Sequence, residues 1–271
     1  MNQDHYRGAA MGWAQGATLT YAPIAALLIA RTPIPLIGAR VIDVGAGTGV
    51  CEAPLRAAGT ATVIAADLSH DMLAWNHPAR PPAVVADVMR LPFPGAVFDG
   101  AVASFVLNHL IDPVGGLVEL ARVARPGGAV LATVYANSSH SENRDTVDEI
   151  ARTYGWVPPT WYAELKATAT VLLGASTSMG AAAAAAALID IKVDEEPVDV
   201  GITEPQALVD YRFGQAHFAE WLADFSLDER AAVRAAAVRA IESAMEPYRP
   251  RVVFLAARTV EGLDRAGVSR I

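Results

Sequence analysis

Asp43, Asp67 and Asp87 each stand at the end of a short apolar run, and the first is followed by Gly45-Ala46-Gly47-Thr48-Gly49. A carboxylate accepts hydrogen bonds from hydroxyl, amine or ammonium groups. Asp67 is placed to accept two vicinal hydroxyls, Asp87 an exocyclic amine, and Asp43 an ammonium group. Glycines without Cβ let the backbone turn sharply and approach a ligand closely. A helix beginning just beyond Gly49 aims its free N–H groups at the same spot. Together these residues would hold a nucleoside-like ligand. The dinucleotide fingerprint requires glycines in a G-x-G-x-x-G frame. Val50 occupies its last position, which excludes a nicotinamide dinucleotide.

Placing those acids together requires strands that end side by side. The apolar pattern gives strands at Arg40–Val44, Ala61–Ala66, Ala83–Ala86, Phe98–Ser104 and Ala129–Tyr135. Helices are expected at Tyr21–Ala30, Cys51–Ala58, Asp71–Asn76 and Val114–Ala124, the last stopped by Pro126-Gly127-Gly128. Alternating strands and helices imply an α/β fold, a parallel sheet covered on both faces. Ligands of such sheets sit outside the carboxyl ends of the strands. Past Tyr135 the rhythm breaks. A helix is expected at Gly180–Ala187, a strand at Asp190–Val200, helices at Glu204–Phe225 and Leu227–Met245, and a strand at Arg251–Thr259. One domain is expected over 1–271. It has an N-terminal helical lid (1–36), a ligand-binding core (37–136), an insertion (137–188) and a segment completing the sheet with a helical cap (189–271).

The chain has 271 residues, 53% hydrophobic and 18% charged. That suffices for a sizeable core and argues against general disorder. The net charge of −8 argues against a nucleic-acid partner, which needs a basic face. Cys51 is the single cysteine, in keeping with a reducing cytoplasm, and reads as a small apolar residue of a helix turn. Asp4 and His5 stand where a signal peptide would be basic. The run Ala22–Ala30 contains Pro23 and is too short to cross a bilayer. The expectation is a cytoplasmic protein without a membrane partner; a homodimer stays open. No two histidines have metal-ligand spacing, and Asp194-Glu195-Glu196 reads as a solvated strand edge, so no metal is expected. His5, His70, His77 and His140 read as surface residues.

Taken in order, Val41–Gly49, Ala66–Leu73, Ala86–Phe93, Phe98–Ser104 and Glu119–Gly128 resemble the class I S-adenosylmethionine-dependent methyltransferases. The resemblance is to the small-molecule branch, which includes ubiquinone- and menaquinone-biosynthesis enzymes, and covers about a third of the chain. It implies a Rossmann-like seven-stranded sheet with an antiparallel last strand, and S-adenosylmethionine as cofactor. Carried over residue by residue, it sets Gly45, Ala46, Gly47 and Gly49 against the methionine and ribose moieties. Asp67 would hold the ribose. Leu68 and Met72 would flank the adenine, with Asp87 and the Val88 N–H binding it. Asp43 and Ser104 would face the methionine end, with Asn108 and His109 close to the donor methyl.

The activity implied is methyl transfer to a small molecule. A sulfonium methyl is already activated, so in-line positioning carries most of the rate. A base is needed only where the nucleophile loses a proton; His109 is the first candidate and His217 the second. Leu208, Tyr211, Gln215, Phe218, Leu222 and Phe225 recur at spacings that make one helix face. That face either packs the helix on the sheet or forms a lid that, with Trp13, Trp161 and Trp221, walls a small, largely apolar or aromatic acceptor, as in secondary metabolism and natural-product biosynthesis. Fold does not fix function, so the alternative is a cofactor-binding protein of this fold that cyclises a substrate or acts as a regulatory module. Nucleic-acid methylation is set aside. Ser104-Phe105-Val106-Leu107 stands where the adenine-amino enzymes carry Asn or Asp, two prolines and an aromatic residue.

Overall fold

Successive side chains of a strand face opposite sides of the sheet. In β1 (Arg40–Val44) both sides are apolar: Val41 enters one core and Ile42 the other. Such a strand belongs inside a sheet covered on both faces. The computed structural model describes residues 4–76, 78 and 80–261, which leaves His77 outside. It places β1 centrally. The other strands are β2 (Thr62–Asp67), β3 (Ala83–Val85), β4 (Phe98–Ser104), β5 (Ala124–Tyr135), β6 (Ile189–Pro197) and β7 (Arg251–Arg258). The sheet order is β3-β2-β1-β4-β5-β7-β6. β1 to β5 run parallel, and β7 pairs antiparallel with both β5 and β6. The chain winds outward from β1 to β3, then crosses to β4 on the other side of β1. That reversal opens a crevice at the carboxyl ends of β1 and β4.

The helices are α1 (Ala10–Ala30), α2 (Glu52–Ala57), α3 (His70–Ala74), α4 (Pro113–Val123), α5 (Glu142–Thr153), α6 (Thr160–Ala167), α7 (Ala169–Leu172), α8 (Ser176–Ala185), α9 (Pro205–Phe213), α10 (Ala216–Ala223) and α11 (Leu227–Ile241). α1 is continuous from Ala10 and, by length and composition, apolar enough to cross a bilayer. Here its Ile24 and Leu28 are buried with Val41, Val102 and Phe254 on one face of the sheet. On the other face Leu117 and Leu120 of α4 pack with Ile42, Val130 and Leu255.

Two expectations need correction. The helix expected over Glu204–Phe225 is two helices, broken at Gly214-Gln215. A Cβ on Gly214 would lie 2.4 Å from the Gly12 carbonyl oxygen, and one on Gly16 would lie 2.0 Å from that of Asp210. The glycines let α1 and α9 meet backbone to backbone. Residues Trp13–Ala17 of α1 form a π-turn there. Gln215 then turns extended, with φ −79° and ψ 149°. Pro126-Gly127-Gly128, in turn, does not stop α4, which ends at Val123. Those residues already belong to β5, at an irregularity in its register with β4.

Candidate active site

The carboxyl ends of β1, β2 and β4 border a cavity of about 500 Å³. Gly45 and Gly47 take left-handed conformations, φ +65° and +52°, which side chains with a Cβ rarely adopt. A Cβ on Gly45 would strike Val106 Cγ2 at 2.1 Å, whereas Gly47 faces Met72 and Trp13. Both line the cavity with Ala46, Asp67, Leu68, Met72, Asp87, Val88, Ser104 and His109. Asp67 accepts the Gly47 N–H on Oδ2 and the Ser69 N–H on Oδ1, each at 2.8 Å. The acid expected on the ribose therefore also shapes the glycine turn, and each of its oxygens keeps a lone pair for a ligand. Burial raises its pKa above the ordinary carboxylate value. Asp87 Oδ1 accepts the Met89 N–H at 2.9 Å. Ser104 Oγ is buried with no hydrogen-bond partner. Asp4, Asp67, Asp87 and Glu164 line this cavity, and among the described residues no lysine or arginine does.

Two expected ligand residues lie outside the lining. Asp43 is 1% exposed, beside Cys51, and burial pushes its carboxyl up to about 7. A Cβ on Gly49 would lie 2.5 Å from Glu52 Oε1, so this glycine serves the turn itself. One supporting residue escaped the sequence reading. Arg80 Nη1 donates to the carbonyls of Gly47 and Met72, both at 2.8 Å, and Nε donates to Glu52 Oε1 at 3.1 Å. It staples the glycine turn to α3 from a proline-rich loop, where no spacing rule marks it.

Tyr6, Trp13, Tyr21, Phe105, His109 and Trp161 line both this cavity and a second one of about 250 Å³. The Tyr6 hydroxyl lies 3.3 Å from His109 Nε2. Desolvation, aided by the nearby His5, lowers the His109 imidazole to about 4. The ring is therefore neutral at ordinary pH and able to accept a proton. Phe105 has φ +58°, an outlier for a bulky residue of the kind that gathers at functional sites. It turns the chain sharply after Ser104, ahead of the short turn Leu107–His109. The segment before α1 is tied across the top: His5 stacks on Trp161 at 4.8 Å, and the Gly8 N–H reaches Asp71 Oδ2 at 3.1 Å.

The second cavity departs from the largely apolar expectation. Beside Asn108, Trp161 and Tyr211 it is lined by Arg144, Lys166 and Arg212, and among the described residues by no acid. Arg212 is buried and held by Asp148 through two bonds of 2.6 Å. His217 lines this cavity but not the first, so it does not reach the junction that His109 occupies. Its ring stacks on Tyr162 at 3.8 Å, and burial with the neighbouring Arg212 holds its pKa well below the usual value. Phe218 and Trp221 line neither cavity. Phe218 is fully buried against Trp156 at 4.3 Å, and the Trp221 indole donates to the Tyr154 carbonyl at 3.3 Å. Helical spacing marked them correctly as one apolar face, but that face is core. Among the described residues no group of three or more His, Cys, Asp or Glu side chains is arranged to hold a metal ion.

Comparison with known proteins bears on the strand-end cavity most directly. A family model described as a methyltransferase domain matches residues 42–132. The demethylmenaquinone methyltransferase of Mycobacterium sp. (strain KMS) is 41% identical over 103 residues, covering 38% of this chain and 44% of that protein. The chain thus matches less than half the length of this curated relative. Among solved structures, Haemonchus contortus phosphoethanolamine N-methyltransferase 2, in complex with phosphomonomethylethanolamine and S-adenosylhomocysteine, aligns with TM-score 0.56 and 20% identity. The alignment covers 88% of this chain and 52% of that one. The cyclase SpnF aligns with TM-score 0.53 and 21% identity, over 89% and 81% of the two chains. Both likenesses are of fold. Residues 42–132 are thus similar to a methyltransferase domain, and the sheet built around them has the fold of solved methyltransferases.

Proposed function

We propose that this protein transfers a methyl group from S-adenosylmethionine to a small, ring-bearing metabolite in the cytoplasm, as a step of secondary metabolism. The observation that carries the reading is the junction: an acid-lined cavity at the strand ends meets a separate, aromatic-walled one at His109. A lining with carboxylates and, among the described residues, no lysine or arginine suits a ligand bearing a sulfonium and an ammonium group. Bound there, S-adenosylmethionine supplies an activated methyl group. Asp67 would hold the ribose and Asp87 the adenine amine, between Leu68 and Met72. The buried, unpartnered Ser104 hydroxyl would take the methionine end. His109, neutral and oriented by Tyr6, accepts the proton of an N–H or O–H nucleophile. Trp13, Trp161 and Tyr211 exclude water around the acceptor. The matched relative, by name an enzyme acting on demethylmenaquinone, supports a ring in the acceptor.

The test is calorimetry followed by transfer of labelled methyl. S-adenosylhomocysteine should bind and NADH should not. Gly47→Leu, which fills the space before Met72 and Trp13, should abolish binding. Full binding by that variant would place the cofactor elsewhere. Binding without methyl incorporation into any metabolite would favour the cyclase-like or regulatory alternative.

A further inference from the structure

We propose that the second cavity receives an acidic acceptor, whose carboxylate or phosphate sits at Arg144 and whose N–H or O–H nucleophile sits at Asn108 and His109. This rests on the methyl-transfer reading and names its substrate class.

Three residues that line this one cavity each carry a buried polar atom without a partner: Arg144 Nε, Asn108 Oδ1 and His217 Nε2. Buried polar atoms are nearly always paired, and leaving one unpaired costs about 1–3 kcal/mol. Three around a single space mark a ligand that completes them. The charges say what kind. Arg212 is neutralised by Asp148. Arg144 meets only the Asp145 carboxylate of the next residue, at 3.4 Å through Nη2. A poorly compensated guanidinium facing a cavity without acids calls for an anion.

The opposite wall points the same way. Arginine only donates, so the Gln215 atom facing Arg212 is its carbonyl oxygen. The Gln215 amide then gives its N–H groups to the hydroxyls of Tyr21 and Tyr211, each at 3.2 Å. Those hydroxyls receive from Gln215, so their own hydrogens point onward. The Tyr211 oxygen lies 3.2 Å from that of Tyr135 and 3.3 Å from that of Tyr248. The relay starts at a cation and passes to tyrosine hydroxyls; Tyr21, Tyr135 and Tyr211 line the cavity, and a hydroxyl can donate to an oxyanion. Asn108 Oδ1 has the opposite need, a donor from the ligand, and it neighbours His109 at the junction. During transfer the nucleophile's lone pair forms the bond to the methyl carbon. The carbon–sulfur pair stays on sulfur, and the nucleophile's proton passes to His109.

Calorimetry on protein saturated with S-adenosylhomocysteine tests this with 4-aminobenzoate, 4-aminophenyl phosphate and the neutral 4-aminobenzamide. At least one anion should bind about tenfold or more tighter than the amide, the scale of a charged hydrogen bond. The tighter of the two anions identifies the acidic group. Arg144→Met should erase the preference, Arg144→Lys should keep part of it, and Tyr135→Phe should weaken it several-fold. S-adenosylhomocysteine affinity should hold in every variant, which reports an intact fold. Should Arg144→Met fail that control, the Lys and Phe variants decide. An amide binding as well as both anions, a preference surviving Arg144→Met, or no anion binding to the saturated protein overturns the proposal. Wild-type protein that does not bind S-adenosylhomocysteine overturns the methyl-transfer reading instead.

Discussion

The two cavities share a wall of aromatic rings and differ in charge. Among the described residues the larger is lined by acids without a lysine or arginine, the smaller by Arg144, Lys166 and Arg212 without an acid. The difference follows from where each is built. Asp67 and Asp87 stand at or just beyond the tips of adjacent strands, so the sheet itself sets their spacing, while Asp4 and Glu164 reach the cavity from the N-terminal segment and α6. The basic residues come from α5, α6 and α9, far apart in sequence, and only packing brings them together. A site built on a sheet edge is inherited from the fold. One built between helices is a property of this chain.

If the second cavity rests on packed charge, breaking its buried pair should cost the most. Asp148→Ala leaves Arg212 buried and unpaired, for a loss of about 3–5 kcal/mol in stability, read as a fall in C_m in urea. At low temperature, S-adenosylhomocysteine should still bind the folded fraction. A stable Asp148→Ala protein would show that Arg212 finds another anion. The junction comes next. His109→Ala should lower turnover about a hundredfold while cofactor affinity holds. The wild-type acid limb of kcat should lie near pH 4, since the ring is held there; a limb near 6.5 would mean the imidazole is solvated.

The smallest effect concerns Asp43, behind the first cavity. Its folded-state pKa of about 7 lies above the ordinary 3.8. As pH rises from about 4 to 7, the unfolded chain releases this proton before the folded one does, so stability is lost across that window. Asp43→Asn should therefore gain on the wild type at pH 8 relative to pH 4, by of order 1–4 kcal/mol at most. His109 acts with the opposite sign, its folded pKa being depressed: stability falls as pH drops from about 6.5 to 4. Melting temperatures of both proteins across pH 4–8 check this; parallel curves would show that Asp43 is ionised in the folded state.

The same contrast explains what the sequence revealed. Arg40–Val44 and Phe98–Ser104 stand where the apolar pattern set them, because a strand's period and its terminal acid are local. The glycine turn was legible for the same reason. Phe218 and Trp221 were misplaced because an apolar helix face looks alike whether it meets a core or a cavity. The break at Gly214 was hidden because its cause, the Gly12 backbone, lies some two hundred residues away in sequence. Arg144 and Arg212 carried no motif; their meaning comes from Asp148 and Gln215, which only the fold brings near.

On the methyl-transfer reading, the segment before α1 would have a kinetic consequence. Tyr6 and Trp161 wall both cavities, and His5 fastens one to the other. One door thus serves two rooms. Spent donor and product should leave after a common opening, and each bound molecule should slow the other's escape. Turnover would then be paced by a single gate, with the stacked His5–Trp161 rings as its latch.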